Sequence, residues 1–270
     1  MTPTPSQPAA TPRLPLAGVP AVVLDTDGVI TDSARVHAAA WQTAFDARLA
    51  AHPPPDPALR APFDPHDDYL RYVDGRSRLD GAENFLRSRG LDPDQDTVRA
   101  VSEEKDRVFT ARLAAGIDAY PGTVRLLHAL RAAGVRLAAA SASRHARELL
   151  DRARVLDLFD ALVDGDEARR LGLPGKPDPA LFLEAARRLD SPPAATAVVE
   201  DALAGVEAGR RGGFHPVIGV DRTAGPGTAD RLRAHGADLV VLDLGELVTE
   251  AGPGAGSGGE RDEREGRHPA

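Results

Sequence analysis

Ala21-Val22-Val23-Leu24-Asp25-Thr26-Asp27-Gly28-Val29 is the stretch on which the fold turns. Four apolar residues in a row, stopped by an acid, read as a strand buried on both faces. In an extended chain, residues two apart point the same way, so Asp25 and Asp27 address one space. Gly28 then lets the backbone turn sharply. Two neighbouring carboxylates repel unless they share a proton or a cation. Magnesium suits such a pair, because it takes a few carboxylates and keeps room for water and a phosphate oxygen. In that setting Asp25 reads as a nucleophile toward phosphorus and Asp27 as a general acid and base. Acids at a strand end also cap ordinary turns, so the rest of the chain has to decide.

On the C-terminal side the period changes. Val36, Ala40, Trp41, Ala44, Phe45 and Leu49 recur at three- and four-residue spacing, which predicts a helix from Ser33 to about Ala50. The run His52-Pro53-Pro54-Pro55-Asp56-Pro57 ends it. Further helices are predicted over 77–117, with no strand among them. After Tyr120-Pro121-Gly122 the pattern becomes strand–helix alternation, with strands at 136–140, 161–163, 197–199, 216–220 and 239–242. Helices fit between them at 124–133, 144–154, 181–189 and 203–211. The fold class expected is α/β: a Rossmann-like parallel sheet core, 20–32 plus 118–250, with an inserted all-helical cap domain, 33–117. Residues 1–19 are rich in Pro, Thr and Ala, and 251–270 are Gly-rich and then densely charged. Both read as disordered tails, too poor in apolar surface to offset their ordering entropy.

Composition narrows the function. A 42% hydrophobic share with only 4% aromatics predicts a core built mainly of Ala, Leu and Val. The net charge of -8, with Lys and Arg dispersed, argues against a nucleic-acid partner. The absence of cysteine excludes disulfides, thiolate metal sites and a cysteine nucleophile. No apolar run is long enough for a membrane span, and the first residues lack the pattern of a signal peptide. A cytoplasmic monomer acting on a small molecule is the expectation.

Three other predicted strand ends carry chemistry. Ser141 follows the strand at 136–140. Lys176 lies in Gly175-Lys176-Pro177-Asp178-Pro179, a loop stiffened by prolines, and Glu200-Asp201 closes the strand at 197–199. Singly these read as a helix cap, a solvated lysine and a favourable helix start. Together with Asp25 and Asp27 they supply a nucleophile, a hydroxyl and a cation for phosphoryl oxygens, and carboxylates for a metal. All fall at the strand ends, where open α/β sheets bind ligands. Other sites are excluded. Arg170 and Pro177 break a nucleotide P-loop around Gly175-Lys176. The eight histidines form no metal cluster, and Asp64, Asp67 and Asp68 do not fit a calcium loop.

With DTDGV at 25–29, Ser141, Lys176 and Glu200-Asp201 in that order, the chain resembles the haloacid dehalogenase superfamily. Within it, the resemblance is to the β-phosphoglucomutase family and related helical-cap phosphatases. It is carried by LDTDGVITDSARVHAAAW (24–41), YPG (120–122), ASAS (140–143), GKPDP (175–179) and EDALAGVEAG (200–209). The resemblance implies an aspartyl phosphate on Asp25, with Asp27 as acid/base. It implies Mg2+ held by Asp25, the backbone carbonyl of Asp27 and Asp201, with Glu200 beside them. Ser141, Ala142 and Lys176 would grip the phosphoryl group. In the cap, His37 matches a histidine that helps control proton transfer, and Arg78 an arginine that grips a distal phosphate. Lys105 falls near a further cap lysine, and Ser143 would face the substrate.

The activity so implied is interconversion of β-glucose 1-phosphate and glucose 6-phosphate through β-glucose 1,6-bisphosphate. A phosphatase of a small phosphosugar is the alternative, and a non-catalytic binding protein on the same scaffold a third. A dehalogenase would need neither Asp27 nor magnesium. Cap closure about 31–33 and 115–120 is expected to exclude water. Three departures stand out: Thr26 replaces a large apolar residue, Asp74 a lysine, and His145 an asparagine.

Overall fold

The computed structural model describes residues 11–12, 16–113, 116–223, 225 and 227–249. In chain order the strands are β1 (Thr11–Pro12), β2 (Ala21–Leu24), β3 (Arg136–Ala140), β4 (Ala161–Val163), β5 (Thr196–Glu200), β6 (Val217–Val220), β7 (Leu239–Val241) and β8 (Val248–Thr249). The helices are α1 (Ala34–Ala51), α2 (Arg78–Ser88), α3 (Gln95–Leu113), α4 (Pro121–Ala132), α5 (Ala146–Arg152), α6 (Gly165–Arg170), α7 (Ala180–Arg188), α8 (Leu203–Arg211) and α9 (Thr228–Ala234).

Six strands make one parallel sheet in the order β4-β3-β2-β5-β6-β7. The uninterrupted apolar run of β2 has a direct cause: both its faces are covered. Val22 and Leu24 pack in the layer that holds Leu126, Leu127 and Leu130 of α4. Ala21 and Val23 pack on the other side with Phe182 and Ala185 of α7 and Val206 of α8. From β2 the chain moves outward to β3 and β4, then returns to β2's other flank for β5, β6 and β7. The order therefore reverses between β2 and β5, and a crevice opens there at the strands' carboxyl ends.

Among the described residues everything between β2 and α4 is helical or loop, and this insert has a core of its own. Trp41, Phe45, Phe63 and Phe85 form an aromatic cluster, with ring centroids 4.1 Å apart for Phe45–Phe85 and 4.8 Å for Trp41–Phe45. The expected Ala/Leu/Val core thus describes the sheet, while the aromatics concentrate in the insert. Its two connections to the sheet run side by side. Thr31 bridges Ala119 in antiparallel fashion, and the Tyr120 amide donates to the Ile30 carbonyl at 2.9 Å.

Several boundaries differ from the sequence reading. The expected disorder of 1–19 does not hold at its inner end: Leu16 is fully buried in the sheet core, and Thr11–Pro12 pairs with Val248–Thr249. One leucine with a shielded site suffices to tie down a stretch whose average composition is poor. Residues 1–10, 13–15 and 250–270, which hold the rest of the expected tails, lie outside the described residues. The strand expected at 197–199 runs Thr196–Glu200, so Glu200 is its last residue. The strand expected from 216 begins at Val217, since Pro216 has no amide to give the ladder. Of the helices expected over 77–117, the described residues form α2 and α3, and a π-helical turn, Tyr69–Val73, precedes them.

Candidate active site

Asp25 is the first residue past β2, and its amide still donates to Val199 O at 3.0 Å. That bond fixes the carboxylate over the β2–β5 crevice. Lys176 Nζ, fully buried, donates to Asp25 Oδ1 at 2.6 Å and to Glu200 Oε2 at 3.2 Å. Asp25, Glu200 and Asp201 each offer a carboxylate oxygen within 4.8 Å of the other two. Asp74, at the end of the π-helical turn, adds a further acid to the same cavity wall.

The charge balance here is uneven. Burial, followed by the nearby Asp25 charge, pushes Asp74 up to about 7 and Glu200 well above the carboxylate range. Asp201 rises well above it too, from burial and then from Asp74 and Glu200. Burial also raises Asp25, although Lys176 pulls the other way. Lys176 itself is held above its usual value: burial opposes its charge, but Asp25 and Glu200 outweigh it. One lysine thus answers four acids, and Glu200 Oε1 is buried with no hydrogen-bond partner. An all-oxygen donor set with surplus negative charge and an orphaned carboxylate oxygen fits a hard divalent cation.

Gly28 shapes the site from below. Its φ is +78°, and a Cβ there would stand 1.8 Å from Asp201 Oδ2. The turn after β2 therefore brings its backbone against the acid at the end of β5.

Asp27 belongs to a different set of contacts from the three clustered acids. Ser33 Oγ donates to its Oδ1, and Ser141 Oγ stands 3.5 Å from Oδ2. His37 Nε2 lies 3.1 Å from Oδ1, near enough for attraction though off the line of a hydrogen bond. Burial raises the Asp27 pKa, yet His37 and Ser33 more than reverse it and keep the carboxylate ionised. His37 is buried and stacks on Phe109 with centroids 4.0 Å apart. Burial and the Lys105 charge push its pKa down, although Asp27 pulls the other way. Thr26, between the two aspartates, is fully buried and its hydroxyl has no partner. Such an orphan costs about 1–3 kcal/mol.

One cavity of about 370 Å³ joins these groups to the insert. That size suits a small ligand, for which pockets run from roughly 300 to 1,000 Å³. Ala142 and Ser143 line it, whereas Ser141 is fully buried beneath them and accepts from the Ser143 amide at 3.1 Å. Arg78 and Lys105 line the insert side. Arg78 Nη1 donates to Asp106 Oδ2 at 2.7 Å. Lys105 Nζ sits 4.7 Å from the Phe109 ring centre and 5.6 Å from that of Trp41. Burial pushes Lys105 down to about 8. The loop after the π-helical turn is pressed onto the sheet side: Gly75 has φ +69°, and a Cβ there would come within 2.8 Å of Ala202 Cβ.

All eleven residues expected at the site (Asp25, Asp27, His37, Arg78, Lys105, Ser141, Ala142, Ser143, Lys176, Glu200 and Asp201) thus fall on or directly beneath this cavity. Asp106 and Arg144 were not foreseen. For Asp106 a signal existed: Val98, Val101, Ser102, Lys105, Asp106, Phe109 and Leu113 are the buried stripe of α3, and Asp106 falls on it. A π-helical turn has no comparable signature, and Asp74 was read only as a departure from a lysine.

The family described as haloacid dehalogenase-like hydrolase matches residues 19–213. A β-phosphoglucomutase of Mycobacterium bovis is 41% identical over 240 residues, covering 85% of this chain and 92% of that protein. A β-phosphoglucomutase of Bacillus subtilis is 32% identical over 234 residues, covering 85% and 92%. Among solved structures, a β-phosphoglucomutase from Clostridium difficile has a TM-score of 0.67 at 24% identity, covering 85% of this chain and 93% of that one. That likeness is one of fold.

Proposed function

The chain belongs to the haloacid dehalogenase-like hydrolase family, and on that footing we propose that it is a magnesium-dependent phosphoryl-transfer enzyme. Its reaction is the interconversion of β-glucose 1-phosphate and glucose 6-phosphate through β-glucose 1,6-bisphosphate. The observation that carries this reading is one cavity with two differently charged ends. Asp25, Lys176 and the clustered acids stand at one end, and Arg78, Lys105 and Arg144 at the other. A hydrolase of monophosphates has use for the first end alone. A mutase has to hold a sugar with a phosphate at each end.

Asp25 attacks phosphorus with a carboxylate oxygen, and the bond from phosphorus to the sugar oxygen breaks. Asp27 gives that leaving oxygen the proton it took from an acceptor hydroxyl in the preceding transfer, and is left ionised. In the next transfer Asp27 takes a proton from the acceptor hydroxyl, which attacks the aspartyl phosphate and frees Asp25. A carboxyl held below its usual range suits that second role. Ser33 holds the Asp27 carboxylate in place through its hydrogen bond, with His37 packed beside the same oxygen. Lys176, with Ser141 and Ala142, grips the phosphoryl oxygens, and Ser143 faces the sugar. Asp25, the Asp27 carbonyl and Asp201 hold magnesium, with Glu200 beside them. When bound, the ion neutralises charge on the transferring group.

Residues 33–117 act as a cap that closes about 31–33 and 115–120, of which Ala115 lies outside the described residues, and keeps water from the aspartyl phosphate. A small phosphosugar is its partner, and the net charge of -8 with dispersed Lys and Arg supports a reading without nucleic acid.

Phosphorus NMR of β-glucose 1-phosphate with enzyme, magnesium and a trace of β-glucose 1,6-bisphosphate tests the reading. Conversion to glucose 6-phosphate without inorganic phosphate is expected. Release of inorganic phosphate in place of conversion would move the protein to the phosphosugar phosphatases, the reading that the family's hydrolase description favours second.

A further inference from the structure

Asp106 has no role in the chemistry above, yet it is 3% exposed and ringed by cations. Its Oδ2 accepts from Arg78 Nη1 at 2.7 Å and lies 3.0 Å from Arg144 Nη2. Its Oδ1 lies 3.4 Å from His145 Nε2 and 3.7 Å from Lys105 Nζ. Arg78 and Lys105 come from the insert, whereas Arg144 and His145 come from the loop between β3 and α5. One carboxylate therefore ties the two halves of the molecule across the cavity. The Phe109 ring, 5.0 Å from His145 and next along α3, backs the same seam.

A buried carboxylate loses several kcal/mol of hydration, and persists only where good partners replace the water. Here the partners exceed the need. Arg78, Arg144 and Lys105 bring three positive charges to one negative one, and two of them are guanidinium forks suited to an anion with several oxygens. All these groups line the cavity that also holds Asp25.

We propose that Asp106 is a resident anion in the subsite for a second phosphate, holding the insert against the sheet until that phosphate takes its place. The proposal deepens the mutase reading and rests on it for the identity of the ligand. Its consequence is a weakened grip. An incoming distal phosphate has to displace the Asp106 contacts, so a bisphosphate is held loosely enough to leave, turn and re-enter.

The test is Asp106→Asn, which keeps the side chain's shape and removes its charge. Binding is measured in an Asp25→Asn background with magnesium, so that no turnover intervenes. Trp41, the single tryptophan, lines the cavity and reports occupancy by its fluorescence. Titration with β-glucose 1,6-bisphosphate is expected to show about tenfold tighter binding in the Asn variant, the order of effect seen for close charge pairs. The gain should vanish when Arg78→Ala is added, because it runs through that arginine. In the ligand-free variant, small-angle scattering should show a larger radius of gyration, the insert no longer being tied.

Unchanged or weaker bisphosphate binding would overturn the proposal, since a merely structural Asp106 would leave Arg78 misplaced when neutralised. If neither protein binds the bisphosphate, the sugar assignment has failed, and the ligand-free scattering decides for Asp106 alone. An opened variant would then support the resident anion, and an unchanged radius would overturn it.

Discussion

Asp25 and Ser141 each stand one residue past a strand, and Glu200 is a strand's last residue. Asp74, Arg78 and Asp106 reach the same cavity from the end of a π-helical turn, the start of a helix and a helix interior. The first group is placed by the hydrogen-bond ladder: Asp25 N to Val199 O at 3.0 Å, and Ser141 N to Val163 O at 3.0 Å. The second is placed by how three helices pack on an aromatic cluster. A ladder sets a residue's position from its own strand and the next. A helix sets it only after its rotation and tilt against distant neighbours are known. The groups we propose for the transfer chemistry thus sit on the locally determined half, and those proposed for the distal end on the half that packing can retune.

The sharpest way to break that division is to remove the nucleophile. Asp25→Asn is expected to abolish conversion of β-glucose 1-phosphate in the phosphorus NMR assay and to prevent any phosphorylation of the protein by acetyl phosphate. Retained turnover would show that the strand-end acid is not the phosphate acceptor, and the contrast between the two halves would collapse with it.

The same contrast explains what could be read from the chain. β2 was expected at 21–24 and is found there, because a four-residue apolar run ending in an acid has few other solutions. Asp25, Lys176, Glu200 and Asp201 could be grouped before any coordinates, since a parallel sheet gathers its strand ends on one side. Arg144 and His145 sit immediately after Ser143 on such an end, but their partner is on α3, and no local pattern pairs them. Leu16 went unread for a related reason: its burial depends on packing with residues far along the chain in the sheet core. The orphaned Thr26 hydroxyl was visible only as an unusual residue type. Its cost appears once the hydroxyl is seen to be buried without a hydrogen-bond partner.

Removing Arg78 is expected to have an intermediate effect. Arg78→Ala deletes a guanidinium from the far end of the cavity and leaves Asp106 with Arg144 and Lys105. Truncating one partner of a buried charge pair between protein and ligand costs roughly 2–5 kcal/mol, which sets KM for β-glucose 1-phosphate in the mutase assay about thirtyfold higher or more. Labelling of Asp25 by acetyl phosphate, which has no distal group to hold, should persist. Equal loss in both assays would mean that the insert governs the strand-end chemistry as well, and the two halves could no longer be treated apart.

The smallest effect on the phosphoryl step is expected from the centre of the insert itself. Phe85 is fully buried against Phe45 at 4.1 Å and Phe63 at 5.1 Å, and the Arg89 guanidinium carbon lies 4.4 Å from its ring centre. Truncating a buried phenylalanine to alanine costs about 3–5 kcal/mol, part lost burial and part cavity. That loss falls on α1, α2 and α3, none of which contributes a strand to the sheet. Phe85→Ala should therefore lower the temperature at which the insert melts in a calorimetric scan, while Asp25 in the cold protein still accepts phosphate from acetyl phosphate at close to the native rate. The mutase reaction, which needs Arg78 held in position, should fail at a lower temperature than the labelling does. If both fail together, the sheet and the insert unfold as one unit, and the division between ladder-placed and packing-placed groups has no separate energetic basis.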